Sequence, residues 1–197
     1  MQDYHEFLDQ IIADEGALRT RVAELAATIS RDFAGEELLV VCVLRGGITF
    51  VADLTRHMTI PHTLDCMSLS SYGVGRYTSS GNVRVNLDLM TNIEGRNVLL
   101  VEDIVDTGRT LAHVLDMLRT REPKNLRVCV LLDKKERREV QVQVDYVGFD
   151  VPDKYIFGYG IDIDEHYRNL PFIATADLGK YHRSSPDIPE TPLSHEI

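Results

Sequence analysis

One stretch of this chain places carboxylates, hydroxyls and a glycine directly after an apolar run. Residues 98–101 are apolar, and Glu102 and Asp103 follow them. A small polar segment comes next, made of Asp106, Thr107, Gly108, Arg109 and Thr110. Helical spacing of apolar residues begins after it. A strand that ends in carboxylates and turns into a helix N-terminus can bind a phosphate and a sugar side by side.

The chemistry of this stretch follows from its groups. Backbone N–H groups of residues 106–110 would point at a phosphate, helped by the positive end of the helix dipole. Gly108 lets the backbone approach closely, and the hydroxyls of Thr107 and Thr110 can donate to phosphate oxygens. Glu102 and Asp103 offer acceptor oxygens for ribose hydroxyls or a magnesium ion. Acidic residues are common at the edge of any α/β sheet, but the complete string favours a binding site.

A second turn with binding chemistry lies at residues 44–47, Leu-Arg-Gly-Gly, again directly after an apolar run. The two glycines permit unusual backbone dihedrals, and the Arg45 guanidinium is a forked donor that suits phosphate oxygens. An ordinary strand-to-helix turn explains these residues about equally well.

The elements that must position these residues can be read from apolar periodicity. Continuous apolar runs or alternation predict strands over 38–44, 62–71, 83–89, 97–101 and 126–132, with shorter candidates at 144–149 and 155–158. Helical spacing predicts helices over 14–33, 48–58 and 109–120. Strands alternating with helices predict an α/β fold, with a mainly parallel sheet flanked by helices on both faces.

Composition limits the classes of function. With 197 residues, 44% of them hydrophobic, the chain can bury one sizeable core, so we expect one domain over 1–182 and a disordered polar tail over 183–197. A net charge of −10 argues against nucleic-acid binding. No apolar run approaches the length of a membrane span and the N-terminus does not resemble a signal peptide, so a soluble, cytoplasmic protein without membrane contact is expected. Cys42, Cys66 and Cys129 stand singly, which predicts reduced thiols.

Three further places could contribute to a site. Residues 70–85 are small and polar around two tyrosines, which fits either a long hairpin or a lid over a reaction centre. Lys134 follows the strand over 126–132, but its basic neighbours favour a solvated charge run when it is considered alone. Residues 151–173 are rich in aromatics, which core packing would explain.

The string at 98–110 resembles the phosphoribosyl-diphosphate (PRPP) signature of the type I phosphoribosyltransferases. Residues 151–173 resemble the members of that family that use 6-oxopurines. The resemblance runs from about residue 9 to 182, with four motifs in order. It implies the type I fold with a small hood, formed by the N-terminal segment and about 150–175, and a mobile lid that contains Ser71 and Tyr72. The implied activity transfers the 5-phosphoribosyl group of PRPP to N9 of hypoxanthine, and of guanine, with Mg²⁺.

The resemblance also implies which residues bind PRPP. Residues 106–110 would bind the 5′-phosphate, and Glu102 and Asp103 would bind the ribose. Arg45, Gly46 and Arg168 fall at the pyrophosphate positions, where the first peptide of the glycine turn is often cis. Lysine is common in relatives at Arg45, so the positive charge is kept there but the hydrogen bonds need not be the same. The implied magnesium ligands are Asp162, Glu102 and Asp103.

The purine half of the site is implied in the same way. Lys134 falls at the lysine that donates to the purine 6-oxo group. Tyr155, where relatives often have Phe, would stack on the base, and backbone atoms of Ile156 would read its N1 edge. Asp162 lies beside the purine as well as the metal. Asp106 is the implied general base, accepting the proton at N7.

Two other functions remain compatible with the sequence. One is a xanthine-preferring relative, which differs in how it reads the purine C2 substituent. The other is a PRPP-binding regulatory protein of the same fold. We expect a homodimer or homotetramer in either case, with small molecules as the other partners.

Overall fold

The computed structural model describes residues 2–71 and 83–181. Its strands are β1 (Leu8–Ala13), β2 (Leu38–Leu44), β3 (His62–Ser71), β4 (Val83–Leu87), β5 (Asn97–Val105), β6 (Asn125–Asp133), β7 (Tyr146–Asp150), β8 (Ile156–Phe157) and β9 (Ile173–Ala176). Its α-helices are α1 (Glu15–Asp32), α2 (Gly47–His57) and α3 (Arg109–Arg119), and short 3-10 helices cover Tyr4–Glu6 and Lys135–Arg137. Tyr72 of the predicted lid and the tail at 183–197 lie outside the described residues, and Ser71 is the last residue of β3.

The main sheet has six strands in the order β4-β3-β2-β5-β6-β7. Every neighbouring pair is parallel except β3 with β4, which is antiparallel. The central strand β2 is buried from Leu38 to Val43, as its unbroken apolar run predicts for a strand covered on both faces. The prediction of a mainly parallel sheet is therefore confirmed.

Helices cover both faces of this sheet. On one face, α1 and α2 pack against it, and the predicted stripe of α1 is buried: Leu18, Val22, Leu25 and Ile29. On the other face, α3 buries Leu111, Val114, Leu115 and Leu118 in a second cluster. The Asp14 carboxylate caps the N-terminus of α1 by accepting a hydrogen bond from the Ala17 N–H at 2.8 Å.

A second, three-stranded sheet has the order β1-β9-β8. The sequence analysis did not predict β1 or β9. Both are short, β1 is largely exposed and has an irregular register, and the pairing joins Leu8 to Ala176 from opposite ends of the chain. Local periodicity carries no signal for such a pairing. This sheet packs on an aromatic cluster that includes Phe7, Phe157 and Tyr167.

The two strands that lead to the carboxylates and to Lys134 extend beyond their predicted ends. β5 continues to Val105 because its pairing with β6 continues, with Glu102 opposite Val130 and Val105 opposite Asp133. The predicted end at residue 101 was therefore wrong, and Glu102 and Asp103 lie inside the strand. Polar residues at the buried end of a strand look like a loop when only hydropathy is read. No helix within residues 2–71 and 83–181 has both the length and the apolar character of a membrane span.

Candidate active site

The predicted site residues gather at one edge of the main sheet. β2, β5 and β6 are mutually parallel, so their carboxyl ends meet at the same edge. β2 ends at Leu44 beside the glycine turn, β5 ends at Val105 before the loop 106–110, and β6 ends at Asp133 before Lys134. The turns identified from the sequence are thereby brought together.

Asp106 and Lys134 form a buried pair at this edge. Lys134 is 1% exposed and Asp106 8%, and the Lys134 Nζ lies 3.8 Å from Asp106 Oδ2. Burial raises the pKa of Asp106 and lowers the pKa of Lys134, so in both groups desolvation outweighs the attraction between them. Taken alone, the sequence favoured a solvated Lys134, and that interpretation was wrong.

The Asp106 carboxylate has no hydrogen-bond partner within the described residues, although its oxygens are buried. Arg137 Nε lies 3.2 Å from Oδ1, so a second positive charge is close without the geometry of a hydrogen bond. Buried carboxylate oxygens are almost always hydrogen-bonded in folded proteins. The arrangement therefore suits a ligand that brings a donor to Asp106.

The loop 106–110 leads into α3 in the way its sequence predicts. Gly108 has φ +84° and is the N-cap of α3, where no side chain caps the helix. A Cβ at Gly108 would lie 2.6 Å from the Val140 carbonyl oxygen, so the loop is packed tightly against the segment that follows β6. The Thr107 carbonyl accepts from the N–H groups of Glu139 and Val140 at 2.9 and 3.1 Å. Glycine is required here for both its dihedral and its size.

The side chains around this loop make contacts with other protein groups, so they do not simply surround an open phosphate site. Arg109 Nε donates to Glu139 Oε2 at 2.7 Å, so its charge is partly satisfied within the protein. Thr107 Oγ1 accepts from the Arg109 N–H at 3.3 Å. Arg138 pairs with Asp133 and packs against Gly108. Sequence analysis had assigned nothing to Arg138 or Glu139, which lie in what looked like a solvated charge run.

Glu102 and Asp103 place two adjacent carboxylates in a buried position. Burial and the neighbouring charge of Asp103 raise the pKa of Glu102 well above its ordinary value, and burial raises the pKa of Asp103 to about 6. A divalent cation that prefers oxygen ligands would offset both the burial of the two carboxylates and the repulsion between them. Glu102 and Asp103 therefore fit such an ion. No cluster of three or more His, Cys, Asp or Glu side chains suited to a metal occurs in residues 2–71 and 83–181. The remaining ligands would have to come from a substrate and water.

The glycine turn reaches these carboxylates through Gly46. A Cβ built on Gly46 would lie 1.9 Å from Asp103 Oδ2, so only glycine allows the turn to pass this close to the carboxylate. The Leu44–Arg45 peptide bond is cis, as the resemblance implied for this position. The turn and the carboxylates therefore form one continuous surface.

An ion-pair network joins the two arginines predicted to bind pyrophosphate. Arg45 Nη2 lies 2.5 Å from Glu165 Oε1, and Arg168 Nη2 lies 3.2 Å from Glu165 Oε2. Arg168 Nη2 also lies 2.7 Å from Asp162 Oδ1. The Arg45–Glu165 pair is exposed, and exposed pairs contribute only about 0–1 kcal/mol, so an incoming anion can compete with Glu165. Glu165 had not been singled out, although it lies within the aromatic-rich string.

Two of the predicted purine residues, Tyr155 and Ile156, lie at the second sheet. Ile156 is buried in β8, and Tyr155 precedes it with a half-buried side chain. The Tyr155 hydroxyl donates weakly to the Asp162 carbonyl oxygen at 3.4 Å, which holds the ring near the network of Arg168.

Two cavities lined by described residues differ in their position relative to the candidate site. One, of about 570 Å³, is lined by α1, α2 and residues 159–171 and includes Arg168. The other, of about 420 Å³, is lined by residues 89–94 and 120–122 and includes none of the predicted site residues. Of the predicted site residues, only Arg168 lines either cavity, so the candidate site lies at the sheet edge where the other groups converge.

Comparison with known proteins agrees with this geometry. The family described as "Phosphoribosyl transferase domain" matches residues 10–166, and the chain belongs to that family. Its curated relatives include the hypoxanthine phosphoribosyltransferase of Salmonella typhimurium, 45% identical over 86% of this chain and 96% of the relative. The hypoxanthine-guanine phosphoribosyltransferase of Streptococcus thermophilus is 43% identical over 89% of this chain and 97% of the relative.

Solved structures give the same result for the fold. A hypoxanthine-guanine phosphoribosyltransferase from Bacillus anthracis superposes with a TM-score of 0.81 and 46% identity, covering 87% of this chain and 98% of that one. A hypoxanthine phosphoribosyltransferase from Staphylococcus aureus superposes with a TM-score of 0.86 and 36% identity, covering 91% and 97%. The predicted type I phosphoribosyltransferase fold is confirmed.

Proposed function

We propose that this chain is a purine salvage enzyme that transfers the 5-phosphoribosyl group of PRPP to N9 of hypoxanthine, and of guanine. The products are the purine nucleotide and pyrophosphate. The proposal is supported by the relatives described above. Within the structure it depends chiefly on the buried pair of Asp106 and Lys134, whose atoms match one edge of a 6-oxopurine.

The match concerns two neighbouring purine atoms, N7 and O6. A base that carries its proton on N7 presents a donor at N7 beside an acceptor at O6. Asp106 provides an acceptor without a hydrogen-bond partner, and Lys134 provides a donor 3.8 Å away. In this proposal Asp106 accepts the N7 proton as N9 attacks, and Lys134 donates to O6.

The same pair would discriminate against adenine. Adenine has an amino group where a 6-oxopurine has its oxygen, so the Lys134 ammonium would face another donor. A buried donor without an acceptor costs about 1–3 kcal/mol, and more for a charged group, which is sufficient for strong selectivity. Tyr155 would stack on the base, and the backbone of Ile156 would read its N1 edge.

The loop that begins at Asp106 and the glycine turn would hold PRPP. The backbone N–H groups of residues 106–110 bind the 5′-phosphate at the N-terminus of α3. Arg45, Gly46 and Arg168 bind the pyrophosphate, which takes the place of Glu165 against the two arginines. Positive charge in this position stabilises the leaving pyrophosphate as the bond from C1′ breaks.

Glu102 and Asp103 would hold Mg²⁺ together with oxygens of PRPP and water, because the three implied carboxylates, Asp162 included, do not form one metal cluster within the described residues. When bound, the ion would help to neutralise the charge of the pyrophosphate. We infer that the second sheet forms the hood over the purine. The predicted lid with Ser71 and Tyr72 would exclude water from the cationic sugar during transfer.

We further propose a cytoplasmic homodimer or homotetramer. The three cysteines are free thiols, a state that is typical of reducing compartments. Sedimentation equilibrium at several concentrations would give the number of subunits.

The test is a spectrophotometric assay with PRPP and Mg²⁺, run separately on hypoxanthine, guanine, xanthine and adenine. Rapid conversion of hypoxanthine with no reaction of adenine is expected. A preference for xanthine would favour the xanthine-specific alternative. Tight PRPP binding without turnover of any base would contradict the proposal and favour a regulatory protein.

A further inference from the structure

The backbone of residues 158–160 forms a ridge that lies against the glycine turn. Gly158, Tyr159 and Gly160 all have positive φ angles, of 95°, 49° and 101°. At Gly160 a Cβ would lie 2.3 Å from the Gly46 carbonyl oxygen, so the ridge and the turn are in direct backbone contact. The position of Gly46, and with it the turn beside Asp103, therefore depends on where this ridge lies.

The ridge is attached to α2 by a partly buried hydrogen bond. The Tyr159 hydroxyl donates to Asp53 Oδ2 at 2.6 Å, and Tyr159 is 8% exposed. Asp53 belongs to α2, the helix that begins at Gly47 directly after the turn. The bond thus ties the ridge to the same rigid element that carries the glycine turn.

The ridge also holds Arg168. The Arg168 Nη1 donates to the Gly160 carbonyl oxygen at 2.9 Å, and the Gly160 N–H donates to the Arg168 carbonyl oxygen at 2.8 Å. Gly160 therefore restrains both the backbone and the guanidinium of Arg168. The two sides of the proposed pyrophosphate site, the turn and Arg168, meet at Gly160.

We propose that Tyr159, through its bond to Asp53, is a positioning residue for the pyrophosphate end of the active site. It fixes the distance between α2 and Gly160, and so the distance between the glycine turn and Arg168. The inference rests on the proposed function, because it takes Gly46 and Arg168 as contacts of the pyrophosphate group. Tyr159 itself touches no substrate in this account.

The test separates the hydroxyl from the ring. Tyr159→Phe keeps the packing and removes the bond to Asp53. We expect the KM for PRPP and the Kd for Mg²⁺-pyrophosphate, measured by calorimetry, to rise roughly tenfold, as for the loss of a hydrogen bond to a charged group. The KM for hypoxanthine should stay within about twofold of wild type. Asp53→Asn retains an acceptor for the hydroxyl and should restore most of the affinity lost in Asp53→Ala.

A matched control exists in a second buried tyrosine. The Tyr146 hydroxyl donates to Asp32 Oδ2 at 3.0 Å and accepts from Arg127 Nη1 at 2.8 Å, and neither partner belongs to the turn or the ridge. Tyr146→Phe should lower the midpoint of urea unfolding about as much as Tyr159→Phe does. It should leave the affinities for pyrophosphate and PRPP unchanged.

Three results would overturn the inference. The first is equal loss of PRPP and hypoxanthine affinity in Tyr159→Phe, and the second is a Tyr159→Phe variant that behaves like Tyr146→Phe. The third is an additive effect when Tyr159→Phe is combined with Asp53→Ala. If the wild-type protein turns over no base, the proposed function fails, while the pyrophosphate titrations still decide the role of Tyr159.

Discussion

Replacing Gly46 by alanine should disrupt the active site through one steric contact. The new Cβ would lie 1.9 Å from Oδ2 and 2.5 Å from Cγ of Asp103. The backbone at Gly46 has φ −59° and ψ −37°, which any residue adopts, so the effect carries no conformational strain. All of the predicted change therefore comes from the collision with the carboxylate.

The magnitude follows from the distance. Real Cβ atoms essentially never approach another heavy atom within 3.0 Å, so turn and carboxylate must separate by more than 1 Å. Overpacking of this kind typically costs about 1–3 kcal/mol of stability. A displacement of about 1 Å in a catalytic site can cost on the order of 10² in rate. We expect kcat/KM for PRPP to fall about 100-fold in Gly46→Ala, with a folded protein.

The neighbouring glycine supplies the control. A Cβ at Gly47 would have as its nearest contact Cys42 Sγ at 3.4 Å, an ordinary van der Waals distance. Alanine is also about 1 kcal/mol more favourable than glycine within a helix, so Gly47→Ala should keep or raise stability and keep activity. Steady-state kinetics with PRPP and urea unfolding of both variants make the comparison. Near-wild-type kcat/KM in Gly46→Ala, or equal losses in both variants, would refute this reasoning.

Three further predictions concern the buried charges. Asp106→Asn should lower kcat by about 10²–10⁴ with little change in PRPP affinity; turnover near the wild-type rate would remove Asp106 from the role of proton acceptor. Lys134→Ala should raise the KM for hypoxanthine and reduce the selectivity over adenine, and an unchanged ratio of kcat/KM values for the two bases would contradict its role. Asp103→Asn should stabilise the metal-free protein at alkaline pH. Burial raises the pKa of Asp103 to about 6, above the value of about 4 in unfolded chains. Ionising Asp103 therefore destabilises the fold progressively as pH rises from about 4 to 6, by about 3 kcal/mol once complete. Urea unfolding in a chelator should show Asp103→Asn more stable than wild type at pH 8 and equal to it at pH 4, and a pH-independent difference would count against the assignment.

Much of the fold could be predicted from the sequence because its elements have strong local patterns. The unbroken apolar run of β2 predicts a strand buried on both faces, and the stripe of Leu18, Val22, Leu25 and Ile29 predicts the buried face of α1. Gly108, between a strand and a helix, predicts a turn in which the backbone approaches a neighbour closely, and the structure adds that its φ is +84°. These signals lie within a few residues of one another, so no knowledge of distant contacts is needed.

The order of the motifs likewise pointed to the site. In a parallel sheet, the carboxyl ends of the strands share one edge, so Arg45, Asp106 and Lys134 could be expected to meet once their strands were identified. Their chemical types then indicated a phosphate and a sugar, and the resemblance supplied the purine. Hydropathy could not predict that β5 continues past residue 101, because strand pairing with β6 outweighs the local polarity of Glu102 and Asp103.

Only the tertiary structure decided the state of the charged groups and the contacts between distant segments. Lys134 lies in a basic run that looks solvated from the sequence. It is nevertheless buried, because it follows β6 directly and packs beside Asp106. Glu165 joins Arg45 to Arg168, although Arg45 and Glu165 are 120 residues apart in the chain. The sheet of β1, β8 and β9 likewise pairs the two ends of the domain. Burial and long-range pairing depend on the whole packed chain, whereas local patterns determine only the elements that are packed.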